Sequence, residues 1–86
     1  MKQLEKTLKA LANGTRLKIV QLLKKGERVS VTEISHKVRA SYKATSKHLA
    51  ILYQVGILDR EQVSYEMHYR LAEPLTPAAR AIIALL

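Results

Sequence analysis

Hydrophobic residues in the first quarter of the chain recur at helical spacing. The first such pattern predicts an amphipathic helix over residues 2–12. We expect Asn13 and Gly14 to end it, because glycine readily takes the left-handed conformation found at helix ends. Thr15 is the expected N-cap of a second helix that runs to about Lys25. The hydrophobic positions are Leu4, Leu8 and Leu11 in the first helix, and Ile19, Val20 and Leu23 in the second.

Two further helices are predicted by serines at helix-start positions. Ser30 and Glu33 have the S-x-x-E spacing of a capping box, which predicts a short helix over about residues 31–38. Ser41 is the N-cap candidate for a fourth helix, over about residues 42–54. Because only a short turn separates them, these two helices form a predicted helix-turn-helix.

The hydrophobic period changes to two residues in the second half of the chain. This alternation, carried by Val63, Tyr65, Met67, Tyr69 and Leu71, predicts a β-hairpin. We expect the hairpin to turn near Val63 and Ser64. Thr76 and Pro77 then begin a last helix, with threonine as the cap and proline in the first helical position. The predicted fold is mainly α with a small β-hairpin, in the order α-α-α-α-β-β-α, as a single domain over residues 1–86.

Positive charge is concentrated in the first part of the sequence. The net charge is +8, and residues 1–50 carry twelve Lys and Arg against three Asp and Glu. Residues 51–86 carry three basic and four acidic side chains. A field of one sign confined to one region points to a polyanion, most simply nucleic acid. A small basic domain that is merely soluble, or one that binds anionic lipid, is the alternative.

The fourth predicted helix has one apolar face and one cationic face. Thr45, Leu49 and Leu52 are expected to face the core, with His48 at the edge. The opposite stripe, which carries no acidic residue, consists of Lys43, Ser46, Lys47 and Ala50, and Tyr42 is exposed in the first turn. Lysine can reach guanine edges or phosphates and serine can reach either, so such a face suits the DNA major groove. An ordinary solvated face is the alternative.

The sequence lacks the residues that several kinds of functional site require. The absence of cysteine excludes disulfides, thiolate metal sites and cysteine nucleophiles. Glu33 and His36 alone make a weak metal site, and no catalytic or phosphate-loop motif occurs, so we expect no metal, no cofactor and no enzyme activity. The start of the chain does not resemble a signal peptide and the final apolar run is short, which favours a cytoplasmic protein without membrane association.

Several short motifs occur together in a characteristic order. They are Leu11-Ala-Asn-Gly-Thr-Arg-Leu-Lys-Ile-Val, Ser30-Val-Thr-Glu-Ile-Ser, Ser46-Lys-His-Leu-Ala-Ile-Leu, Gly56-Ile-Leu and Tyr69-Arg-Leu-Ala. With these motifs over residues 8–72, the chain resembles the ArsR-type winged-helix repressors. Where many members of that family have cysteine metal ligands, this chain has Ser30 and Thr32.

The resemblance implies a homodimer that binds double-stranded operator DNA and represses transcription. The fourth helix is then the recognition helix, the hairpin is the wing, and the first and last helices form the dimer contact. The candidate DNA-binding residues are Arg39, Ser41, Tyr42, Lys43, Ser46, Lys47, Ala50 and Tyr65.

The ends of the chain are the predicted dimer surface. The last helix is apolar almost all round, so it needs more cover than one small domain provides. We expect helices at residues 1–12 and 76–86 to pair across a two-fold axis, which sets two recognition helices ~34 Å apart on an inverted repeat. The candidate interface residues are Leu4, Leu8, Leu11, Ala78, Ala81, Ile82 and Leu85. A last helix that covers only its own domain is the alternative.

The sequence thus predicts a sequence-specific, dimeric DNA-binding regulator, and more narrowly a repressor. Two other functions stay open. One is a winged-helix protein-interaction module that docks an acidic partner, and the other is a non-specific nucleic-acid-binding protein.

Overall fold

The computed structural model describes all 86 residues as five helices and a three-stranded antiparallel sheet. The helices are α1 (Lys2–Leu11), α2 (Gly14–Leu23), α3 (Val31–Val38), α4 (Tyr42–Gln54) and α5 (Pro77–Ile83). The strands are β1 (Val29–Ser30), β2 (Leu58–Val63) and β3 (Glu66–Leu71). The predicted mainly α fold with a β-hairpin is confirmed, with one short strand added before α3.

Three of the helices begin at the residues that the sequence predicts. In each, the side-chain oxygen of the N-cap accepts a hydrogen bond from a backbone amide three residues later, which satisfies one of the free donors of the first turn. These bonds join Ser30 to Glu33 at 3.1 Å, Ser41 to Ala44 at 3.0 Å and Thr76 to Ala79 at 3.3 Å.

The boundary between α1 and α2 differs from the prediction. Asn13, not Thr15, is the N-cap of α2, and its side-chain oxygen accepts from a backbone amide at 3.0 Å. Gly14 is the first residue of α2 and does not end α1 in a left-handed conformation. Asparagine caps a helix at least as well as threonine, so the helix starts two residues earlier. It ends at Leu23, two residues before the predicted end, and Gly26 takes φ +91° in the following turn.

Strand β1 is absent from the sequence prediction. It has two residues and pairs with β3, with Val29 opposite Tyr69, which gives the sheet order β1-β3-β2. A strand this short shows no alternation, so only its partner reveals it. It joins the start of the helix-turn-helix to the hairpin.

The hairpin turns one residue later than predicted. Val63 pairs with Glu66, so Ser64 and Tyr65 form the turn, and Ser64 takes the left-handed φ of 57°. Tyr65 therefore lies at the tip of the hairpin and not within a strand. The residues on either side of a two-residue turn, here Val63 and Glu66, lie on the same face of the hairpin. The predicted alternation, which counted Tyr65 as a strand residue, is therefore interrupted at the turn.

The hydrophobic core lies between the helices and one face of the sheet. The predicted inward faces of α2 and α4 are confirmed, because Ile19, Val20, Leu23, Leu49 and Leu52 have no exposed surface. Helices α1 and α5 pack against each other and add smaller contributions from Ala10, Leu11, Ala79 and Ile83. Helix α4 is thereby held by its apolar face, with its other face outward.

Candidate nucleic-acid interface

Helix α4 is fixed to the core by three side chains on one stripe. Thr45, Leu49 and Leu52 are each 0% exposed, as the sequence predicts for this face. The Ser41 side chain caps the helix at its first turn. The helix is therefore held both along its length and at its N-terminus, which fixes the direction in which its outer face points.

The outer face of α4 forms a ridge that we call the α4 ridge: Tyr42, Lys43, Ser46, Lys47 and Ala50. Tyr42, Lys43 and Lys47 are exposed, whereas Ser46 and Ala50 are half-buried at the flank. Neither lysine takes part in a salt bridge, and α4 contains no acidic residue. The structure therefore presents uncompensated positive charge beside short polar groups that leave room for a close approach.

The turn before α4 carries a further cation. Arg39 is exposed and closes α3 in the left-handed conformation, with φ 58° and ψ 47°. Most residues other than glycine avoid this region, at a free-energy cost of about 1 kcal/mol or more. Arg39 and the N-cap Ser41 place an arginine side chain and free helix amides at the same end of the ridge.

The tip of the hairpin carries an aromatic ring. Tyr65 is fully exposed, and no Lys or Arg lies between Gln62 and Glu66. The ring touches no other part of the protein at this extreme position, which makes it available for contact with another molecule. The structure brings the α4 ridge and Arg39 together but holds Tyr65 apart from them on the hairpin.

A carboxylate ties the hairpin to the helix-turn-helix. Glu66, the first residue of β3, accepts hydrogen bonds from the backbone amide of Thr32 at 2.9 Å and from its hydroxyl. These bonds hold the pKa of Glu66 below its ordinary value. Because Thr32 lies in the first turn of α3, the carboxylate also meets the positive end of that helix. A second link joins Arg28 to Glu61 of β2 in a salt bridge.

A further link, which sequence reasoning missed, joins α4 to α2. Arg16 of α2 donates from Nε to the carbonyl oxygen of Ala10 at 2.6 Å, and its Nη1 lies 3.2 Å from Nδ1 of His48. Burial, and then the charge of Arg16, lower the pKa of His48. Arg16 thus connects α1, α2 and α4. The only sequence signal was its place in the Thr-Arg-Leu motif.

An apolar surface lies at the ends of the chain. Leu4, Leu8 and Leu85 are 40%, 47% and 85% exposed, and Ala81 is exposed as well. Ala78 and Ile82 are half-buried. Leu11 differs from the expectation, because it is only 3% exposed and packs inside the core of its own chain. It faces inward because α1 lies against α4 and α5, which cover its C-terminal end. We call the remaining six residues the terminal apolar surface.

The structure contains neither a cluster of metal ligands nor a helix suited to crossing a membrane. No group of three or more His, Asp or Glu side chains is close enough to hold a metal ion. Ser30 and Thr32 serve instead as a helix cap and as a partner of Glu66. None of the helices has the length and apolar character that crossing a membrane requires.

Comparison with known proteins identifies the family. Residues 13–60 match the family described as bacterial regulatory protein, arsR family, and this match covers the helix-turn-helix and the start of the hairpin. The chain belongs to this family.

Curated relatives of this arsR-family chain are regulators of transcription. It is 38% identical over 78 residues to the biofilm growth-associated repressor of Agrobacterium fabrum, and 35% identical over 79 residues to the transcriptional activator HlyU of Vibrio cholerae. These alignments cover 91% and 92% of this chain but 64% and 69% of those proteins. The family and these relatives are regulatory proteins, which agrees with the expectation that the chain is not an enzyme.

Solved structures of related regulators share its fold. Reduced HlyU from Vibrio cholerae matches with a TM-score of 0.84 and 32% identity, over 99% of this chain and 85% of that one. A homodimeric winged helix-turn-helix DNA-binding domain from Mycobacterium bovis, described as a possible ArsR-family regulator, matches with a TM-score of 0.82 and 27% identity. That match covers 98% of this chain and 74% of the other. The arsR-family chain therefore has the winged helix-turn-helix fold, in which α3 and α4 are the helix-turn-helix and β2 and β3 the wing.

Proposed function

We propose that this protein is a sequence-specific, dimeric DNA-binding repressor whose helix α4 enters the major groove of an inverted-repeat operator. The observation that carries the proposal is the α4 ridge, an exposed face with two unpaired lysines and no carboxylate. A duplex is a polyanion whose major groove admits a helix, so this face matches it in both charge and shape.

Each candidate residue has a role that follows from its position. Lys43, Ser46, Lys47 and Ala50 face the base edges, with the lysines directed to guanines or phosphates and Ala50 allowing close approach. Tyr42, Ser41 and Arg39 lie at the N-terminal end of α4, where they meet the phosphate backbone. Tyr65 at the tip of the wing contacts the adjacent minor groove. Base recognition is thus assigned to the middle of α4, and contact with the phosphate backbone to its N-terminal end.

The terminal apolar surface is the proposed dimer contact. Its members lie on α1, on α5 and, for Leu85, just after α5, and exposed leucines of this kind favour association. Helices α1 and α5 pack together. The Mycobacterium bovis domain with the same fold is described as homodimeric. Residues 1–12 and 76–86 then serve as dimerisation helices beside a DNA-binding unit, and a two-fold axis places two α4 helices on successive turns of a palindromic site. The proposed location of the dimer is the cytoplasm.

The decisive experiment is a gel shift with fragments of the DNA that flanks its own coding region, followed by footprinting of any retained fragment. The proposal expects a discrete site with an inverted repeat, bound less tightly as salt rises because phosphate contacts release counterions. Binding to all fragments without preference would instead support a non-specific nucleic-acid-binding protein. No binding at all would leave the protein-interaction module as the better explanation.

The direction of control needs its own measurement, because one curated relative is named a repressor and the other an activator. A reporter gene behind the footprinted site decides it. Repression predicts that reporter output falls when the protein is present and that the footprint overlaps the promoter. Increased output would replace repression by activation and leave the DNA-binding part of the proposal intact.

A further inference from the structure

A groove of about 650 Å³ lies between α2 and α3. Seven residues line it: Lys18, Gln21, Leu22, Lys25, Lys37, Val38 and Arg39. Four of them are cations and none is acidic. Lys18 and Lys25 lie seven residues apart, which places them on the same side of α2 and the turn after it. Lys37 and Arg39 face them from the end of α3. We call this feature the α2–α3 groove.

No salt bridge within the protein neutralises the charge of this groove. Neither salt bridge of the structure includes any of its four cations. Gln21, its polar neutral member, donates to the main-chain oxygen of Leu86 at 3.2 Å, so this residue borders the groove. Four like charges around one groove repel each other, which lowers the stability of the folded state unless an anion enters.

The second groove of the molecule shows the opposite arrangement. It lies on the wing sheet, and its lining includes two carboxylates beside three arginines: Arg28, Asp59, Arg60, Glu61 and Arg70. There Arg28 is in a salt bridge with Glu61, Asp59 is opposite Arg70 in the strand register, and Arg60 stacks 3.9 Å from the ring centre of Tyr53. The lining of the wing groove therefore places carboxylates among its arginines, whereas the lining of the α2–α3 groove is cationic without any acidic residue. This contrast distinguishes the α2–α3 groove from the wing groove.

Arg39 connects the groove to the proposed DNA site. It lines the groove, takes a left-handed conformation that favours glycine, and precedes the N-cap of α4 by only two residues. The first helix of a helix-turn-helix crosses the DNA backbone when the second lies in the major groove. Here that first helix is α3, whose last turn contributes Lys37. The phosphates next to the major-groove site therefore lie nearest to this end of α3.

We propose that the α2–α3 groove binds the phosphodiester backbone of the duplex that flanks the base pairs read by α4. Lys18, Lys25 and Lys37 are phosphate-binding residues in this arrangement, and they extend the footprint beyond the recognition helix and the wing. This inference rests on the proposed function. It adds a sequence-independent contact that strengthens binding without changing which bases are preferred.

The test compares two double variants with equal loss of charge. Lys18→Gln with Lys25→Gln alters the groove. Lys6→Gln with Lys24→Gln is the matched control, since both of its lysines are exposed, lie outside the groove and form no salt bridge. Each protein is titrated at several salt concentrations with two duplexes, one that ends at the footprinted core and one with ten additional base pairs on each side. Far-ultraviolet circular dichroism verifies that every variant is folded.

We expect the salt dependence of the groove variant to differ from that of the control variant only on the long duplex. There the groove variant lowers the slope of log affinity against log salt by up to about 3.6 for the bound dimer, or about 0.9 for each of the four lost phosphate contacts, relative to the control. On the short duplex both variants behave alike. Equal slopes on the long duplex would overturn the groove assignment while leaving the proposed function in place. A groove effect of the same size on the short duplex would overturn it too, whereas absence of DNA binding by the native protein would overturn both.

Discussion

Arg16 donates a hydrogen bond from Nη1 to Nδ1 of His48 across 3.2 Å, which joins α2 to the middle of α4. Arginine has no acceptor, so Nδ1 must accept, and the proton of the neutral imidazole lies on Nε2. Protonation of His48 would remove the acceptor and place two cations side by side. This contact between α2 and α4 therefore requires a neutral histidine.

Lowered pH should weaken the fold through His48. Its folded-state pKa lies below the ordinary 6.5, so the unfolded chain takes up the proton first and stability falls as pH drops from about 6.5 to the folded-state value. Above 6.5 this contribution is complete. We expect a smaller loss between pH 7 and pH 5.5 in His48→Asn, whose side-chain oxygen can accept from Arg16 without titrating. Urea unfolding at several pH values measures the free energy of unfolding of both proteins. An equal loss of stability in the native protein and in His48→Asn would contradict the role of His48.

Glu66 provides a second pH dependence at lower pH and with a separate cause. Its folded-state pKa is held below the ordinary value of 4.5 by the hydrogen bonds from Thr32, so its stabilising effect is complete above about 4.5 and is lost as pH falls through the folded-state pKa. Glu66→Gln should therefore be less stable at pH 7 and converge with the native protein in acid. Glu27→Gln, at an exposed loop position without an ion pair, is the control. A constant difference at all pH values would argue against the link.

Thr45→Val should stabilise the protein. The Thr45 hydroxyl is fully buried on the inner face of α4 and has no hydrogen-bond partner. Valine has nearly the same shape without the unsatisfied polar atom, so we expect the free energy of unfolding to rise by about 1 kcal/mol. The urea midpoint should increase with an unchanged slope. An unchanged or lower midpoint would mean that the hydroxyl is satisfied in solution.

Lys43→Ala and Lys47→Ala should each weaken binding to the operator fragment. A lost phosphate contact lowers the salt slope by about 0.9, and a lost guanine contact also relaxes the preference for one base. Lys6→Ala, a change of equal charge on α1, should have a smaller effect on affinity and none on base preference. Fluorescence titration with native and single-base-changed duplexes separates the two roles. Undiminished affinity in both single variants would reject the α4 ridge as the DNA-binding face.

Leu8→Glu should convert the dimer to monomers. Leu8 is 47% exposed at the centre of the exposed apolar side of α1, where a carboxylate would be buried without a partner on association. Tyr65→Glu, an equally acidic change at the tip of the wing, should leave the mass unchanged. Sedimentation equilibrium at micromolar concentration measures both. A native protein that is already monomeric would refute the proposed interface, and a dimeric Leu8→Glu variant would move it elsewhere.

Local signals in the sequence determined most of the elements. Ser30, Ser41 and Thr76 begin helices because a side-chain oxygen near the first turn satisfies free amides wherever the helix later packs. The inner face of α4 follows from the period of Thr45, Leu49 and Leu52, which allows only one side to be buried. Such features depend on neighbours within a few residues, so the chain encodes them without reference to the rest of the fold.

Tertiary packing decided what depends on partners distant in sequence. Strand β1 exists because β3 returns beside it, and Leu11 is in the core because α4 and α5 cover it. The contacts from Arg16 to His48 and from Thr32 to Glu66 each span more than thirty residues, and no local pattern predicts which of several polar groups will meet. Likewise, only the approach of α2 to α3 brings Lys18 and Lys25 together with Lys37 and Arg39. The sequence alone determined which side chains carry charge, and the fold decided which of those charges remain unpaired.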